Sequence, residues 1–519
     1  MQRCSPKRGS KTTSIICFLS LLLMFCSPTI YRLVLYGTES YINILLVAVG
    51  SIPLALFLTT IRRWWVFLLL SIPLMCFSGN ETFVVVVYRH YMKAINVLSM
   101  FITNATESGS FISNNTLAIL CNVPVFLLWV IAVWAKCRSK PTSYKNVALS
   151  GLILAVFLVF AKDSKLMGLP PYDLPVQYYN AYIINQRIKQ AASHPFTNID
   201  CKQDNAKDRE SYVLFIGESV VYDHLSLAGY NRSTTPLLDA RDNVTLFTDY
   251  KTNATLTCLA VPMMMTDATV EDFYRSYSGV NMLQVFRQCG FKTFVLVCFN
   301  HLDQDQPLTA AADSVFCVEK DIYIPAVMDS LTNIYPKTFF VVQGLGNHCY
   351  FYNFEEEDNL FRPNTYYDPE VKSDSLYYNA YDCTLLYTDR VINGVINAID
   401  KDDMSSVMLF ASDHGENINP GDERRSVSMN PQESEYHVPL IIWRSQKWIE
   451  ENPEKEECIQ ANKNKQTYID NIFYTLCDVA NIHLPDSLSK PEWTITSPSF
   501  VIHKRILLTP DGRTIINLD

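Results

Sequence analysis

Acidic side chains are nearly absent from the first 162 residues of this 519-residue chain. That part has three Asp or Glu and fourteen Lys or Arg, whereas the remainder has forty-nine acidic and twenty-nine basic residues. Internal repeats and low-complexity tracts are also missing, which excludes a repeat protein. The uneven charge predicts two parts that face different environments.

Long apolar runs occupy the acid-poor part. Most of them approach the roughly 20 residues that a helix needs to cross a bilayer. The third run is too short unless it continues beyond Phe77. We predict an α-helical membrane domain in residues 1–162 with five transmembrane helices, at about Ser14–Leu35, Ile42–Ile61, Trp64–Phe77, Leu117–Ala135 and Val147–Ala161.

Two other interpretations of these runs are disfavoured. The first run contains Pro28 and Arg32 and lacks a small-residue cleavage site, so it does not match a cleavable signal peptide. Charged residues are few within the runs and lie mostly at their ends. Since transporters carry ionisable groups inside the membrane, a polytopic transporter is a weak alternative.

Basic residues indicate the orientation of the helices. They cluster before the first run, between the second and third, and between the fourth and fifth. Because short cytoplasmic loops are rich in Lys and Arg, we expect a multi-pass membrane protein with a cytoplasmic N-terminus. Five crossings then place the chain after Lys162, and the loop from Ser78 to Asn115, outside the membrane, which for the inner membrane of a Gram-negative bacterial cell is the periplasm.

The rest of the chain has a different sequence pattern. Residues 163–210 are predicted to be a bridging segment with a helix in VQYYNAYIINQRIKQAA, and residues 211–519 an α/β domain. Near-continuous runs of Val, Ile, Leu and Phe are typical of parallel strands buried on both faces. We therefore expect a mostly parallel central sheet, with strands at SYVLFIG, KTFVLVCF, KTFFVVQG, SSVMLFAS and VPLIIW.

Carboxylates and imidazoles flank several of these predicted strands. Sites in open α/β sheets form at the carboxyl ends of strands, so these side chains are expected to converge. Mixed oxygen and nitrogen ligands suit zinc or manganese. A lone His in a loop is more often a surface residue, and only the recurrence at several strand ends favours a metal site. The residues are Glu218, Asp223, His224, His348, Asp413, His414, Glu416 and His437.

The stretch TNATLTCLAVPMMM, residues 252–265, offers four candidate nucleophiles. They are three threonines and one cysteine, and a threonine at the start of a helix is ordinarily only a capping residue. Metal coordination activates such a hydroxyl, and a helix N-terminus favours phosphate. The residue types alone do not choose among the four.

Five motifs resemble those of bacterial phosphoethanolamine transferases, which lie within the alkaline phosphatase and sulfatase superfamily. They occur in the order seen in that family, and the similarity covers nearly the whole chain. The resemblance implies five transmembrane helices followed by a periplasmic catalytic domain of alkaline phosphatase or sulfatase-like fold. The motifs are GESVVYDHLSLAGYNRSTTPLL (217–238), TLTCLAVPMM (255–264), YDCTLLYTDRVI (381–392), SDHGEN (412–417) and YHVPLIIW (436–443).

The resemblance also implies the site residues. The family's nucleophilic threonine stands five positions before the proline of the second motif, Pro262, which makes it Thr257. A zinc ion is then bound by Thr257 and three further ligands, with manganese the less favoured metal. His348 and His437 are expected to contact the phosphoryl group or a second metal. The three further ligands are Glu218, Asp413 and His414.

The implied reaction is ping-pong. Thr257 attacks phosphatidylethanolamine, a membrane lipid, diacylglycerol leaves, and phosphoethanolamine passes to lipid A, a core sugar, a periplasmic glucan or another surface glycan. Lipopolysaccharide modification and polymyxin resistance are the associated roles, and no nucleic-acid partner is expected. SMFITNATESG resembles the family's donor-binding stretch through Thr103 and Glu107, but Ser99 stands where asparagine is expected.

Three alternative functions are considered, and two of them are those of related proteins. Sulfatases need a C-x-P-x-R pattern to make formylglycine, and the residues after Cys258 do not provide it. Phosphoglycerol transferases of lipoteichoic acid synthesis share the spans, the threonine and the metal site, although GY and R-x-T-T-P in the first motif favour the ethanolamine enzymes. A catalytically inactive envelope binding or sensor protein is the third alternative.

Nine cysteines lie after residue 162, where a periplasmic location would let disulfides persist. An odd number leaves at least one cysteine unpaired. Cys298 and Cys317 flank a loop and are the predicted pair. Cys258 lacks the downstream cysteine that many relatives have, because Met263 occupies that position.

Overall fold

The computed structural model describes residues 11–37, 40–88, 90–102, 115–162, 164–193, 199–298, 309–347, 354–364, 374–418, 431–510, 512 and 514–519. These residues form two compact units, with a boundary between Ile184 and Asn185. The boundary lies inside the helix predicted for the bridging segment, which is present and runs from Asp173 to Ala192.

Apolar helices make up the first unit. Within the described residues, five spans are long and apolar enough to cross a membrane, in agreement with the prediction. The third continues to Tyr88, so part of the predicted outer loop is helical and the span is long enough. The helices up to the boundary are α1 (Lys11–Tyr36), α2 (Tyr41–Thr60), α3 (Trp64–Tyr88), α4 (Ala94–Ile102), α5 (Thr116–Leu120), α6 (Asn122–Arg138), α7 (Tyr144–Ala161) and α8 (Asp173–Ala192).

Helix packing in this unit leaves apolar side chains on the outside. α1 packs against α2, α3 and α6, with Leu21 and Phe25 fully buried. Between α6 and α3, Trp129 Nε1 donates to Ser71 Oγ at 3.0 Å. Leu152 on α7, by contrast, is 61% exposed. An apolar exterior with internally paired polar groups is what a hydrocarbon environment requires.

The second unit is built around a seven-stranded sheet. The described strands are β1 (Lys202–Gln203), β2 (Glu210–Gly217), β3 (Val244–Phe247), β4 (Asp249–Lys251), β5 (Lys292–Cys298), β6 (Ser314–Val318), β7 (Lys337–Gln343), β8 (Ser405–Ser412), β9 (Leu440–Arg444), β10 (Gln466–Tyr468), β11 (Ile482–His483), β12 (Ile506–Leu508) and β13 (Ile515–Asn517). The large sheet has the order β3, β9, β8, β2, β7, β5, β6, and its strands from β8 to β6 are parallel. The other strands form three two-stranded pairs.

Helices cover both faces of this sheet. They are α9 (Pro236–Asp239), α10 (Thr257–Met264), α11 (Met282–Gln288), α12 (Ile324–Ile334), α13 (Asp374–Ile399), α14 (Glu433–Tyr436), α15 (Gln446–Glu451), α16 (Pro453–Asn462) and α17 (Asn471–Val479). Tyr212 and Leu214 of β2 belong to the core shared with α10, α11 and α17, whereas Val213 and Phe215 belong to the core shared with α12 and α13. Because alternate residues of a strand point to opposite faces, a strand that serves two cores is apolar throughout.

One predicted strand runs in the other direction. All five predicted segments contain strands, but VPLIIW supplies β9, which is antiparallel to β8. Every residue of β9 is buried. Its composition therefore matches that of a buried parallel strand and does not reveal the direction.

The predicted disulfide between Cys298 and Cys317 is wrong. Cys298 of β5 lies opposite Val318 of β6, and Cys317 lies opposite Val297. Paired residues of neighbouring strands share a face of the sheet, and consecutive residues alternate between faces. The two thiols therefore lie on opposite faces, Cys298 buried and Cys317 exposed.

Candidate active site

Two acidic residues follow the central strands of the sheet. β2 and β8 are parallel neighbours whose last paired residues are Gly217 and Ser412. Glu218 and Asp413 come next in the chain, and the Asp413 N–H donates to the Gly217 carbonyl at 2.9 Å. Strand direction and register thus bring the two carboxylates to the same edge, as predicted.

The turn after Glu218 holds both carboxylates. Ser219 has φ +56°, a left-handed conformation that is uncommon for a residue with a side chain. Its N–H donates to Asp413 Oδ1 at 3.3 Å and its hydroxyl donates to Glu218 Oε1 at 2.7 Å. The buried Tyr381 hydroxyl donates to the Ser219 carbonyl and accepts from the Val221 N–H, each at 2.8 Å. A strained turn held by this many bonds is typical of functional sites.

Gly415 lets the loop after β8 lie against another segment. A β-carbon at this position would be 2.0 Å from the Ser434 carbonyl oxygen, so a larger residue fits only if the backbone moves. The Gly415 carbonyl lies 2.8 Å from His414 Nδ1. Since a carbonyl only accepts, Nδ1 carries the proton, and Nε2 of the neutral imidazole has a lone pair for a metal.

Thr257 is the first residue of α10, and its hydroxyl reaches this group. Oγ1 lies 3.0 Å from Glu218 Oε2 and 3.2 Å from His414 Nε2. The N-cap position belongs to Leu256, which has an extended backbone. The Thr257 hydroxyl therefore donates to a buried carboxylate and lies beside a buried imidazole, which fits a nucleophile better than a helix cap.

Glu218, Asp413 and His414 form a group that could hold a metal ion. One ligand atom from each lies within 4.8 Å of the others, and all three residues are buried. His414 Nε2 is 3.5 Å from Glu218 Oε1 and 3.6 Å from Asp413 Oδ2. Asp413 Oδ2 is buried and makes no hydrogen bond to any residue that the structure describes. Such an oxygen is unfavourable unless a cation or a water satisfies it.

Charge in this group favours a cation. Burial and the Glu218 carboxylate raise the pKa of Asp413. Burial by itself would lower the pKa of His414, but the Asp413 and Glu218 carboxylates outweigh it and raise that pKa. Two buried carboxylates face one imidazole, and a bound cation would offset the excess negative charge. Two carboxylate oxygens, an imidazole nitrogen and the Thr257 oxygen match the donors of four-coordinate zinc.

Other predicted residues lie elsewhere. His437 is not part of the three-residue group. Its Nε2 lies 3.1 Å from the Thr248 carbonyl oxygen, and its ring stacks on Tyr222 with 4.3 Å between centroids. Its contact with a phosphoryl group or a second metal stays a prediction, and Asp223 is exposed. The remaining predicted contacts, Thr103, Glu107 and His348, lie outside the described residues.

His224 and Glu416 support neighbouring elements. His224 Nδ1 lies 2.8 Å from Asp382 Oδ1, and Arg232 donates to the second oxygen of Asp382 at 2.7 Å. Glu416 Oε1 accepts from the Tyr377 hydroxyl at 2.7 Å. Both contacts tie the loops that follow β2 and β8 to α13.

Two residues that sequence analysis did not identify support the site, namely Ser219 and Tyr381. Both lie within the motifs GESVVYDH and YDCTLLYTDRVI, which was the available signal. The left-handed φ of Ser219 and the hydrogen bonds of Tyr381 to a distant backbone turn produce no periodic pattern in the sequence. Only the folded structure reveals these two roles.

A sequence comparison decides the family. The Sulfatase family model matches residues 210–482, a little more than half of the chain. The chain belongs to the sulfatase family. The matched range contains Thr257 together with the three residues of the metal-binding type, and these four residues form the Thr257 group: Glu218, Thr257, Asp413 and His414.

Several similar curated proteins are phosphoethanolamine transferases by name. EptC of Escherichia coli O18:K1:H7 is 24% identical over 464 residues, which cover 80% of this chain and 79% of that protein. EptA of Escherichia coli O157:H7 is 24% identical over 471 residues, which cover 80% of this chain and 84% of that protein.

Solved structures show the same fold. The integral membrane protein EptA of Neisseria meningitidis, a lipooligosaccharide phosphoethanolamine transferase, matches with a TM-score of 0.73 and 20% identity, covering 94% of this chain and 99% of that chain. The periplasmic domain of Escherichia coli EptC in complex with zinc matches with a TM-score of 0.55 and 23% identity, covering 62% and 96%. The predicted fold class, apolar helices followed by a sulfatase-like α/β domain, is therefore confirmed.

Proposed function

We propose that this protein transfers phosphoethanolamine from phosphatidylethanolamine to lipid A or another envelope glycan and releases diacylglycerol. The observation that carries the proposal is the Thr257 hydroxyl, 3.0 Å from Glu218 Oε2 and 3.2 Å from His414 Nε2 in a buried group of metal-binding type. The names of the relatives EptC and EptA support the activity, and the zinc complex of EptC supports zinc as the cofactor.

Thr257 is the proposed nucleophile. When bound by Glu218, Asp413, His414 and Thr257, zinc supplies a Lewis acid that favours the alkoxide form of the threonine. The Thr257 hydroxyl donates to Glu218 Oε2, so its proton has an acceptor at 3.0 Å. Oγ1 attacks the phosphorus, the bond from phosphorus to the diacylglycerol oxygen breaks, and that oxygen takes up a proton. The first N–H groups of a helix lack intrahelical acceptors, so the start of α10 favours the phosphoryl oxygens.

The second half of the reaction restores the enzyme. Phosphoethanolamine is held on Thr257 as a phosphate ester. A hydroxyl or phosphate oxygen of the acceptor attacks the phosphorus, the bond to Oγ1 breaks, and Thr257 regains a proton. Release of diacylglycerol before the acceptor reacts predicts ping-pong kinetics.

The apolar helices suit a donor that resides in a bilayer. In the proposed organisation, residues 1–162 form five helices that span the inner membrane from a cytoplasmic N-terminus. Residues 163–210 connect this membrane domain to residues 211–519, which form the periplasmic catalytic domain. His348 and His437 are the proposed contacts to the phosphoryl group or a second metal. Thr103 and Glu107 are the proposed contacts to the donor.

Mass spectrometry of lipid A and envelope glycans tests this function. Cells produce the wild type, Thr257→Val or Thr255→Val, and both substitutions replace a hydroxyl by a methyl group. Thr255 is the matched control because its buried Oγ1 makes no hydrogen bond within the described part of the chain. We expect added phosphoethanolamine with the wild type and Thr255→Val, and none with Thr257→Val.

Three results would contradict the proposal. Phosphoethanolamine that persists with Thr257→Val would refute the threonine mechanism. Added phosphoglycerol would indicate a phosphoglycerol transferase instead. A wild-type protein that binds zinc and modifies no envelope component would indicate an inactive binding or sensor protein.

A further inference from the structure

Two thiols meet in the core of the second unit, outside the Thr257 group. Cys201 immediately precedes β1 and is buried, and Cys289 immediately follows α11 and is half-buried. Their sulfur atoms lie 3.6 Å apart although the residues are 88 positions apart in the chain. Two thiols whose sulfur atoms are this close can be oxidised to a disulfide, and such a bond would persist in a periplasmic domain.

We propose that Cys201 and Cys289 form a disulfide in the mature protein. The bond joins the segment that leads into the α/β domain to the end of α11. The proposal rests on the periplasmic placement in the proposed function, because cytosolic thiols are kept reduced. The bond involves no residue of the Thr257 group.

The surroundings hold both thiols in place. The Cys289 N–H donates to the Val285 and Phe286 carbonyls at 3.2 and 3.1 Å, which fixes its backbone at the helix end. The Cys201 thiol points at the same helix, 3.3 Å from Gln288 Oε1. A disulfide needs sulfurs about 2 Å apart, so the two must approach by about 1.5 Å. Cys289 is half-buried whereas Cys201 is buried, so the Cys289 side chain is the less enclosed of the two and is the one expected to rotate.

A third thiol lies nearby and is the competing partner. Cys477 of α17 is 1% exposed, and burial raises the pKa of its thiol. The hydrogen bond from Cys289 lowers the pKa of Cys201, which favours the thiolate there. Because the thiolate is the reactive form, Cys201 attacks more readily than Cys477.

The oxidant is a disulfide of the periplasm, carried by a thiol-disulfide oxidoreductase or a small molecule. Two S–H bonds of the chain break and one S–S bond forms. The oxidant's S–S bond is reduced to two thiols, which take up the two electrons and two protons. In the closing step, the Cys201 thiolate attacks the Cys289 sulfur of a mixed disulfide and expels the thiolate of the oxidant.

Peptide mapping of the full-length protein tests the bond. Protein purified from membranes is alkylated without reduction, digested and analysed by mass spectrometry before and after addition of a reductant. We expect one linked pair of peptides that contain Cys201 and Cys289 and separate on reduction. Alkylation of both thiols in the unreduced sample, or a link from either of them to Cys477, would overturn the proposal.

Thermal unfolding supplies a second readout. A reductant should lower the Tm of the wild type, and this shift should vanish in Cys201→Ser and Cys289→Ser. Cys298→Ser is the control, since Cys298 is buried in β5 and should keep the shift. A shift that survives in Cys201→Ser would contradict the bond.

The disulfide and the proposed transferase function can be refuted independently of each other. A mapped disulfide in Thr257→Val protein, which is expected to lack transferase activity, supports the bond on its own. Transfer activity in protein whose Cys201 and Cys289 are both alkylated overturns the bond and leaves the proposed function intact.

Discussion

Removal of the Tyr381 hydroxyl tests whether the turn after β2 positions the metal ligands. Tyr381→Phe deletes one oxygen from a fully buried side chain and breaks two hydrogen bonds of 2.8 Å, to the Ser219 carbonyl and from the Val221 N–H. Each loss leaves a buried backbone group unpaired, at about 1–3 kcal/mol. We expect the free energy of unfolding to fall by about 2–6 kcal/mol, the sum of the two losses.

The same change should weaken zinc binding. Ser219 contacts Asp413 Oδ1 and Glu218 Oε1, so loss of the support from Tyr381 lets both carboxylates move. Removal of a residue that orients metal ligands typically weakens metal affinity by about 10–100-fold. The measurement is a zinc titration of chelator-treated protein against a competing chelator, with thermal unfolding of the same samples.

Tyr212→Phe is the matched control. Tyr212 is also buried, and its hydroxyl donates to Glu210 Oε2 at 3.0 Å near the start of β2, whereas Glu218 follows the end of that strand. This variant should lose stability and keep its zinc affinity. If Tyr381→Phe loses stability but binds zinc as tightly as the wild type, the turn does not position the ligands.

Three further predictions concern the loop after β8, the metal and a buried acid. Gly415→Ala places a carbon 2.0 Å from the Ser434 carbonyl oxygen, so metal analysis of the purified variant should find zinc largely lost; full zinc content would contradict this. Chelation should abolish transfer in a lipid-labelling assay and zinc should restore it, whereas activity that survives chelation would exclude a metal role. Burial raises the pKa of the Asp470 carboxyl from 3.8 to about 7, so the folded protein binds this proton more tightly than the unfolded chain does. The stability that the protonated carboxyl contributes is fully present below pH 3.8 and is lost as the pH rises through 7. Asp470→Asn should therefore raise Tm at pH 8 more than at pH 5, and equal changes at both pH values would refute the assignment.

Composition and strand position made much of the architecture predictable. The apolar runs predicted five spans because a bilayer demands unbroken apolar length, and the strands of the sheet were recognisable because they are buried on both faces. Glu218, Asp413 and His414 could be predicted to converge because each follows a strand of the sheet. The direction of β9 could not be predicted, since a strand buried on both faces has the same composition in either direction.

Contacts that depend on a single dihedral angle or on strand register were beyond prediction. The pairing of Cys298 with Cys317 failed because a loop flanked by two cysteines says nothing about which face each thiol occupies. The proximity of Cys201 and Cys289 depends on where β1 begins and α11 ends in space. No spacing in the sequence encodes that distance.

The three threonines before Pro262 differ in their partners. Thr252 donates to the Asp413 carbonyl at 2.5 Å, so it supports the backbone of the loop that carries two proposed metal ligands. Thr255 is buried, and its hydroxyl makes no hydrogen bond to the described residues. The chain then turns from an extended residue, Leu256, into α10, which directs the next hydroxyl toward Glu218 and His414. The family resemblance identified Thr257 only by its position, five residues before Pro262. The structure supplies a physical reason, since Thr257 is the one of these three threonines whose hydroxyl contacts both a carboxylate and an imidazole of the proposed site.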